Sequence, residues 1–412
     1  MIFINIYKKY AETFGTPLYI YDFDIIYENY KKLKHSLPYN SYIYYSLKAN
    51  SNDLVVKKLI EIGAGAEVSS LNELDISINA GLNKNKLLYT GPGKTDDEIN
   101  YIISKNVGYI SVESLEELKQ ISFYSNKQKI ETSILIRLNP DNNQMTNASI
   151  KMTSSSSQFG IDISNMPECL EIIQYSPYIK FSGFHLFNGS NLNNEGELLE
   201  NFLENIKISH NLSKKFGLPT EIIDIGGGFP APYGKKGNTI DFHNLKVPIE
   251  NELKNLFGDS PPKLIFESGR YIVGTSGTLL GEVQVNKKTK ETNFLVLNFG
   301  INTISGMSAI GRLPSLNYDF ETYAFSDEKL QYRVVGPLCT PMDYLSRKIN
   351  LPELYRGDLI TIPNVGAYSL SASLINFLSR DLPVELVLEK NHIISASKIN
   401  ILRKEMDIKG GD

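Results

Sequence analysis

Eight short apolar, β-branched or aromatic runs, spaced by helix-like stretches, set the tightest limit on what this chain can fold into. They are Tyr42–Tyr45, Ala66–Val68, Leu87–Tyr89, Tyr109–Val112, Ser133–Ile136, Ile179–Phe184, Ile222–Ile225 and Leu264–Phe266. Between them apolar residues recur three and four apart, as at Leu54, Val55, Leu59 and Ile62, or at Leu198, Leu199, Phe202, Leu203 and Ile206. That spacing predicts amphipathic helices. Ser51 and Asn52 before one helix, and Ser114 followed by Glu116 and Glu117 at another, read as start signals; Gly63 and Gly81 stand where helices stop. Strands alternating with helices give a parallel sheet, and eight is the number that closes a (β/α)8 barrel.

After Gly269 the rhythm changes to Gly, Pro and short β-prone runs such as Phe294–Leu297, Tyr332–Val335 and Leu359–Ile362, with short helical pieces expected near Tyr344 and Ser373. The chain therefore divides into a barrel over residues 28–275 and a mostly-β domain from residues 1–27 and 276–412. Pro17–Tyr21 also reads as a strand. Composition narrows function more than fold. With 42 basic against 46 acidic side chains there is no broad basic surface for nucleic acid. Two cysteines in 412 residues cannot build a disulfide framework, which points to a reducing compartment. Met1 to Gly15 mixes Lys8, Lys9 and Glu12 with short apolar pairs, unlike a signal peptide, and no run is long enough to span a bilayer. The expectation is a cytoplasmic enzyme.

Barrel enzymes place catalytic groups at the C-terminal ends of their strands. Lys48 follows the first run in Tyr45-Ser46-Leu47-Lys48-Ala49-Asn50. An ammonium there either reaches solvent at the barrel mouth or serves as a Schiff-base lysine. Asp224-Ile225-Gly226-Gly227-Gly228-Phe229 follows the seventh run, where a tight turn or a phosphate cradle would use three glycines. Glu267-Ser268-Gly269-Arg270 follows the eighth: a structural ion pair, or, beside a pyridine ring, a partner for its nitrogen. His185 ends the sixth run; it is either a satisfied core residue or a site residue, and no histidine spacing suggests a metal site. Cys339 lies in a Gly/Pro-rich loop suited to reactivity, whereas Cys169 looks like helix packing. Thr153 to Ser157 is a low-complexity patch, and Asn147-Ala148-Ser149 matches a glycosylation sequon with no secretory route to use it.

Together these motifs resemble the alanine-racemase-like, fold type III pyridoxal phosphate decarboxylases, the group of diaminopimelate and ornithine decarboxylases, over nearly the whole chain. The resemblance implies pyridoxal 5'-phosphate as cofactor, a homodimer, and an amino-acid-type substrate, with no nucleic acid and no membrane. It implies that Lys48 is the cofactor lysine and that Glu67, in Glu67-Val68-Ser69-Ser70, lies near the cofactor. It further implies Arg137 on the fifth strand, His185 against the ring, and Ser190 with Gly226, Gly227 and Gly228 at the phosphate. Glu267 would pair with the pyridine nitrogen, and Arg270 and Tyr368 would reach the phosphate. Cys339 and Asp343 match a segment that enters the partner subunit's active site, which makes Cys339 the candidate proton donor to the α-carbon and Asp343 a substrate contact.

Departures from the family pattern bear on the substrate. Diaminopimelate decarboxylases carry an acidic residue directly after the cysteine, where it meets the distal ammonium; here it is Thr340. Gly300 to Met307 lacks their Arg-Pro segment ending in Leu-Tyr, and Gln158 stands where many relatives have lysine. Gly91-Pro92-Gly93-Lys94 and Gly336-Pro337-Leu338-Cys339-Thr340-Pro341 look like a side branch serving specialised metabolism, which includes the butirosin glutamyl-[acyl carrier protein] decarboxylase. The expected function is decarboxylation of an amino acid group on a conjugate or carrier protein, as in antibiotic biosynthesis. The alternatives are a free diamino acid decarboxylase, a racemase or an inactive cofactor-binding homologue. Arg312 and Thr340 are further substrate-site candidates, and Lys84, Lys86 and Lys94, or Arg312 and Arg347, are either a basic patch for an acidic carrier or solvated surface.

Overall fold

A computed structural model describes residues 2–139, 150–151, 158–187, 189–190, 194–304, 318–323 and 328–406. The low-complexity patch Thr153 to Ser157, the sequon and Arg312 lie outside the described residues. Two compact units emerge: Ile25–Pro232 with Gly237–Thr275, and Met1–Asp24 with Tyr233–Lys236 and Ser276–Asp412.

The first unit is a closed barrel of eight parallel strands: Ser41–Ser46, Gly65–Val68, Leu87–Tyr89, Tyr109–Val112, Thr132–Asn139, Ile179–His185, Ile222–Asp224 and Lys263–Ser268. Each of the eight runs in the sequence supplies one strand. Closure comes from Ser41–Ser46 pairing with Lys263–Ser268 and Tyr109–Val112 pairing with Thr132–Asn139. Side chains alternate along a strand, so residues two apart share the inner face. Tyr44, Leu88, Leu135, Ile222 and Ile265 meet there as a buried apolar layer that plugs the barrel.

Five of the described helices between strands start at side-chain caps. Asn52 caps Asp53–Glu61, Ser70 caps Leu71–Asn79, and Thr95 with Glu98 forms a reciprocal capping box on Asp96–Lys105. Ser114 caps Leu115–Gln128, and Asn194 caps the long helix Glu195–Phe216, whose Leu198, Phe202 and Ile206 are buried. Because these caps follow the strand ends closely, they also fix the loops that carry the polar residues of the barrel mouth.

The second unit is built on a nine-stranded sheet. Leu18–Asp22 runs parallel to Val384–Glu389 and antiparallel to Gly277–Thr289, which also pairs with Thr292–Leu297 and Leu359–Pro363. The helix Ile2–Phe14 packs Ile6, Tyr7, Tyr10, Ala11 and Phe14 against Leu18, Ile20, Leu280, Leu386 and Leu388. Those helix residues stand one, three and four apart, a periodicity visible in the chain but masked by the adjacent Lys8 and Lys9. Tyr344–Pro352 corrects the expectation of a short helix near Tyr344. It is a strand, antiparallel to Lys329–Val335, and its exposed Arg347 and Lys348 break the alternation while suiting a sheet edge. Near Ser373 the helical piece is a single turn, Leu370–Ala372. No helix among the described residues is long and apolar enough to cross a membrane.

The apolar layer carries barrel stability. Ile265→Ala leaves a cavity in it and should cost about 2–5 kcal/mol in reversible denaturant unfolding; a loss below about 1 kcal/mol would show that the layer collapses to refill the space.

Candidate active site

One step beyond the apolar layer, the same strand faces turn polar. Tyr44 gives way to Ser46, Leu88 to Thr90, Leu135 to Arg137, Ile222 to Asp224 and Ile265 to Glu267. Parallel register completes the ring, since Ser46 lies beside Glu67, Asp224 beside His185, and His185 beside Arg137. Glu67, Arg137, His185, Asp224 and Glu267 are all buried. Residues far apart in the chain thus share one level at the C-terminal ends of the strands.

Lys48 sits on the single turn Leu47–Ala49 directly after the first strand, with its side chain 44% exposed. Its ammonium donates to Glu67 Oε1 at 3.0 Å. The same oxygen accepts from Thr90 Oγ1 at 2.6 Å and Ser69 Oγ at 3.3 Å. Burial raises the Glu67 pKa, but the Lys48 charge and the hydroxyl hydrogen bonds outweigh it, and the net shift is downward. Glu67 is therefore ionised.

Across the ring the balance reverses. Burial, opposed by the Gly226 N–H, lifts Asp224 to about 8. Burial, reinforced by Glu67 and Asp224, pushes Glu267 well above the carboxylate range. Burial, then Arg137, Lys48 and Lys94, drives His185 well below its usual value. The 3.6 Å contact between His185 Nε2 and Glu267 Oε1 is accordingly a meeting of neutral groups, not an ion pair. Ser111 Oγ holds His185 Nδ1 at 2.8 Å. Donor atoms of His185, Asp224 and Glu267 lie within 4.8 Å of one another. Strands six, seven and eight each supply one, so no sequence spacing reveals the set. Its carboxyls hold protons that a metal would have to displace.

Four buried atoms of this layer have no hydrogen-bond partner among the described residues: Glu67 Oε2, His185 Nε2, Asp224 Oδ2 and Glu267 Oε1. Each unmet group costs about 1–3 kcal/mol, so their gathering at one level marks a place for a polar ligand.

Arg137 belongs to a second network on the same rim. Its Nη1 donates to Glu113 Oε1 at 2.8 Å, and its guanidinium lies 4.8 Å from the Phe159 ring. Lys94 corrects its reading as part of a surface patch: its side chain is 1% exposed, and its ammonium donates to Gly91 O, Ser111 O and Glu117 Oε1 at 2.7, 2.8 and 2.6 Å. Lys84–Lys86, a short turn just before the strand Leu87–Tyr89, lies at the opposite end of the barrel from this rim.

The glycine segment is shaped by close approach. Gly226 has φ 71°, its N–H donates to Asp224 Oδ1 at 2.8 Å, and its carbonyl accepts from Glu267 N at 2.8 Å. A Cβ on Gly227 would collide with the Glu267 carbonyl, and Gly228 has φ 103°. Arg270 opens the short helix Arg270–Val273 directly after the eighth strand. Ser190 lies in the two-residue strand Gly189–Ser190, paired with Ile150–Lys151.

In the second unit, Gly336–Asp343 connects the antiparallel strands Lys329–Val335 and Tyr344–Pro352, with Cys339 exposed in that connection and Thr340 half-buried. Asp343, expected at the substrate, is held within its own loop. It is 3% exposed; Oδ1 accepts from Ile301 N at 2.9 Å and Oδ2 from Leu338 N at 2.8 Å. Its carboxylate is a clamp for its own loop. Tyr368 is half-buried with φ 53°, in the left-handed region that few aromatic residues occupy. Cys169 is buried, and burial pushes its thiol up to about 11, as befits packing.

Sequence reasoning missed Thr90, Ser111, Glu113 and Glu117, and gave Asp224 no role of its own. A usable signal was their place two residues beyond an inward apolar residue, or at the start of a helix. Asn205 was also missed: buried on the long helix, its side-chain amide donates to the carbonyls of Leu186 and Ile225 and ties two mouth loops together.

Residues 23–274 match the family described as pyridoxal-dependent decarboxylase, pyridoxal binding domain. The L-glutamyl-[BtrI acyl-carrier protein] decarboxylase of Niallia circulans is 30% identical over 384 residues, 92% of this chain and 90% of that one. The 2-[(L-alanin-3-ylcarbamoyl)methyl]-2-hydroxybutanedioate decarboxylase of Staphylococcus aureus is 29% identical over 383 residues, 89% and 92% of the two chains. The solved diaminopimelate decarboxylase of Helicobacter pylori, complexed with L-lysine, superimposes with a TM-score of 0.83 at 29% identity, covering 94% of this chain and 95% of its own.

The protonated carboxyls give the cofactor-free protein a pH signature. Asp224 binds its proton more tightly folded than unfolded, so its contribution to stability is complete below the unfolded value and is lost as pH rises through about 8. The melting temperature of the cofactor-free protein should fall between about pH 5 and pH 8, and Asp224→Asn should flatten the decline. Parallel profiles for variant and wild type would contradict the assignment.

Proposed function

The chain belongs to the pyridoxal-dependent decarboxylases, and from that premise we propose that it removes the α-carboxylate of an amino acid group carried on a conjugate or a carrier protein. Pyridoxal phosphate is its cofactor and an amino acid decarboxylation its reaction. The polar layer fits that cofactor, because its four unpartnered buried atoms and protonated carboxyls suit a nitrogen heterocycle better than an apolar group. When bound, the cofactor supplies an electron sink for the pair released as the carbon–carboxylate bond breaks.

The protein's part in this reading is proton placement and orientation. Ionised Glu67 beside Lys48 would hold and orient the lysine at the cofactor. Glu267, with Asp224 behind it, would hold a proton at the ring nitrogen. His185, neutral and tied to Ser111, would lie against the ring. Gly226, Gly227 and Gly228, with Ser190 and Arg270, would hold the phosphate. Cys339, exposed in its loop, would return a proton to the α-carbon from a second copy of the chain in a homodimer.

One observation carries the preference for a conjugated substrate. Asp343 is the only carboxylate in Gly336–Asp343, and both of its oxygens are taken up by backbone N–H groups. With Thr340 after the cysteine, that loop has no carboxylate left for the distal ammonium of a free diamino acid. Two of the similar proteins act, by name, on an amino acid joined to a carrier or through a carbamoyl link. The diaminopimelate decarboxylases, at a similar level of identity, supply the comparison substrate for the test.

Carbon dioxide release should be measured on a glutamyl-loaded acyl carrier protein, an amide-linked diaminopropionate conjugate and free diaminopimelate. At least one conjugate should exceed free diaminopimelate in kcat/KM by about 100-fold or more; efficient turnover of diaminopimelate with none on either conjugate would overturn the reading. Cys339→Ala should slow turnover by about 100-fold and change the partition between products, as loss of a general acid does. A normal rate with unchanged partition would remove Cys339 from the mechanism.

A further inference from the structure

We infer that Lys94 is a positioning residue for the cofactor face of the barrel, fixing His185 through Ser111 and Arg137 through Glu117 and Glu113. Its site is unusual for a lysine. The side chain is 1% exposed, and three acceptors, Gly91 O, Ser111 O and Glu117 Oε1, match the three N–H donors of an ammonium. A buried cation with every donor used is costly to assemble and rigid once assembled.

Two arms leave this hub, and each ends on the polar layer. In the first, Lys94 holds the carbonyl of Ser111 while the hydroxyl of the same residue holds His185 Nδ1 at 2.8 Å. The position of the fourth strand's end is thereby passed directly to the imidazole. In the second, Glu117 Oε1 accepts from Lys94 and Oε2 accepts from Glu113 N at 3.2 Å. Glu113 Oε1 then accepts from Arg137 Nη1 at 2.8 Å and from Gly91 N at 3.1 Å. Gly91 closes the loop, because its carbonyl returns to Lys94.

Local sequence explains how the hub is held. Lys94 directly precedes the capping box of Thr95 and Glu98, and Glu113 directly precedes the Ser114 cap that accepts from Glu117 N at 3.1 Å. Two helix starts therefore anchor the two ends of the Lys94–Glu117 pair. Neither Lys94 nor Glu117 is part of the polar layer itself, so their role is exercised through Ser111 and Glu113.

The inference rests on the assignment of His185 and Arg137 to the cofactor, so those residues serve as controls. Wild type, His185→Ala, Arg137→Ala, Ser111→Ala and the double variant Lys94→Met/Glu117→Gln should be compared by melting temperature, pyridoxal phosphate affinity and circular dichroism of the bound cofactor band. The double variant removes both charges, so no unpaired buried ion remains to unfold the protein. It should melt within a few degrees of wild type, bind the cofactor at least tenfold more weakly and show an altered dichroic band. Ser111→Ala, a change small enough to leave the fold intact, should alter the band in the same sense as His185→Ala. Wild-type affinity and band in Ser111→Ala or in a folded double variant, with the controls altered, would overturn the relay alone. Unaltered His185→Ala and Arg137→Ala controls would overturn the cofactor assignment and the relay together.

Discussion

Tyr44, Leu88, Leu135, Ile222 and Ile265 close the barrel from below, and the groups standing one strand step above them have an apolar floor in place of water. That desolvation sets the chemistry of the rim. Glu267 and Asp224 keep their protons, His185 stays neutral, and of these three carboxyls only Glu67, faced by the Lys48 ammonium, is held ionised. A single ring thus contains an acid form and a base form of the same functional group, separated by which side chains carry a nearby positive charge.

Rigidity comes from the connections that follow the strands. Helix caps at Ser70, Thr95, Ser114 and Asn194 fix where each loop leaves the barrel. Asn205 ties the loops after the sixth and seventh strands, and Lys94 ties those after the third and fourth. The polar layer is consequently preorganised, with unpartnered atoms held in place before any ligand arrives. In the second unit Asp343 does for the Cys339 loop what Lys94 does for the rim, using a buried charge to hold backbone.

The strands and many residues of the polar rim were legible in the chain because each run is short, apolar and followed by a polar residue with few structural excuses, as with Lys48, His185 and Glu267. Asp224 stood in plain view but was read only as the start of a glycine turn. The Lys94–Glu117–Glu113–Arg137 network was not legible, since its members come from separate loops and each looks like ordinary charged surface. The clamp made by Asp343 was not legible either, because only the fold brings Gly300 and Gly336 against its carboxylate. Tyr344–Pro352 misled because edge strands carry charges where periodicity expects alternation.

The central claim is that the barrel holds Glu267 as a neutral acid until a ring nitrogen meets it. Infrared spectroscopy of the carboxyl stretch in the cofactor-free protein at neutral pH, taken as a difference against Glu267→Gln, tests it directly. The account predicts a protonated carboxyl band that is absent from the variant and that moves when pyridoxal phosphate binds. An ionised Glu267 in the cofactor-free protein, or a protonated band indifferent to the cofactor, would contradict it.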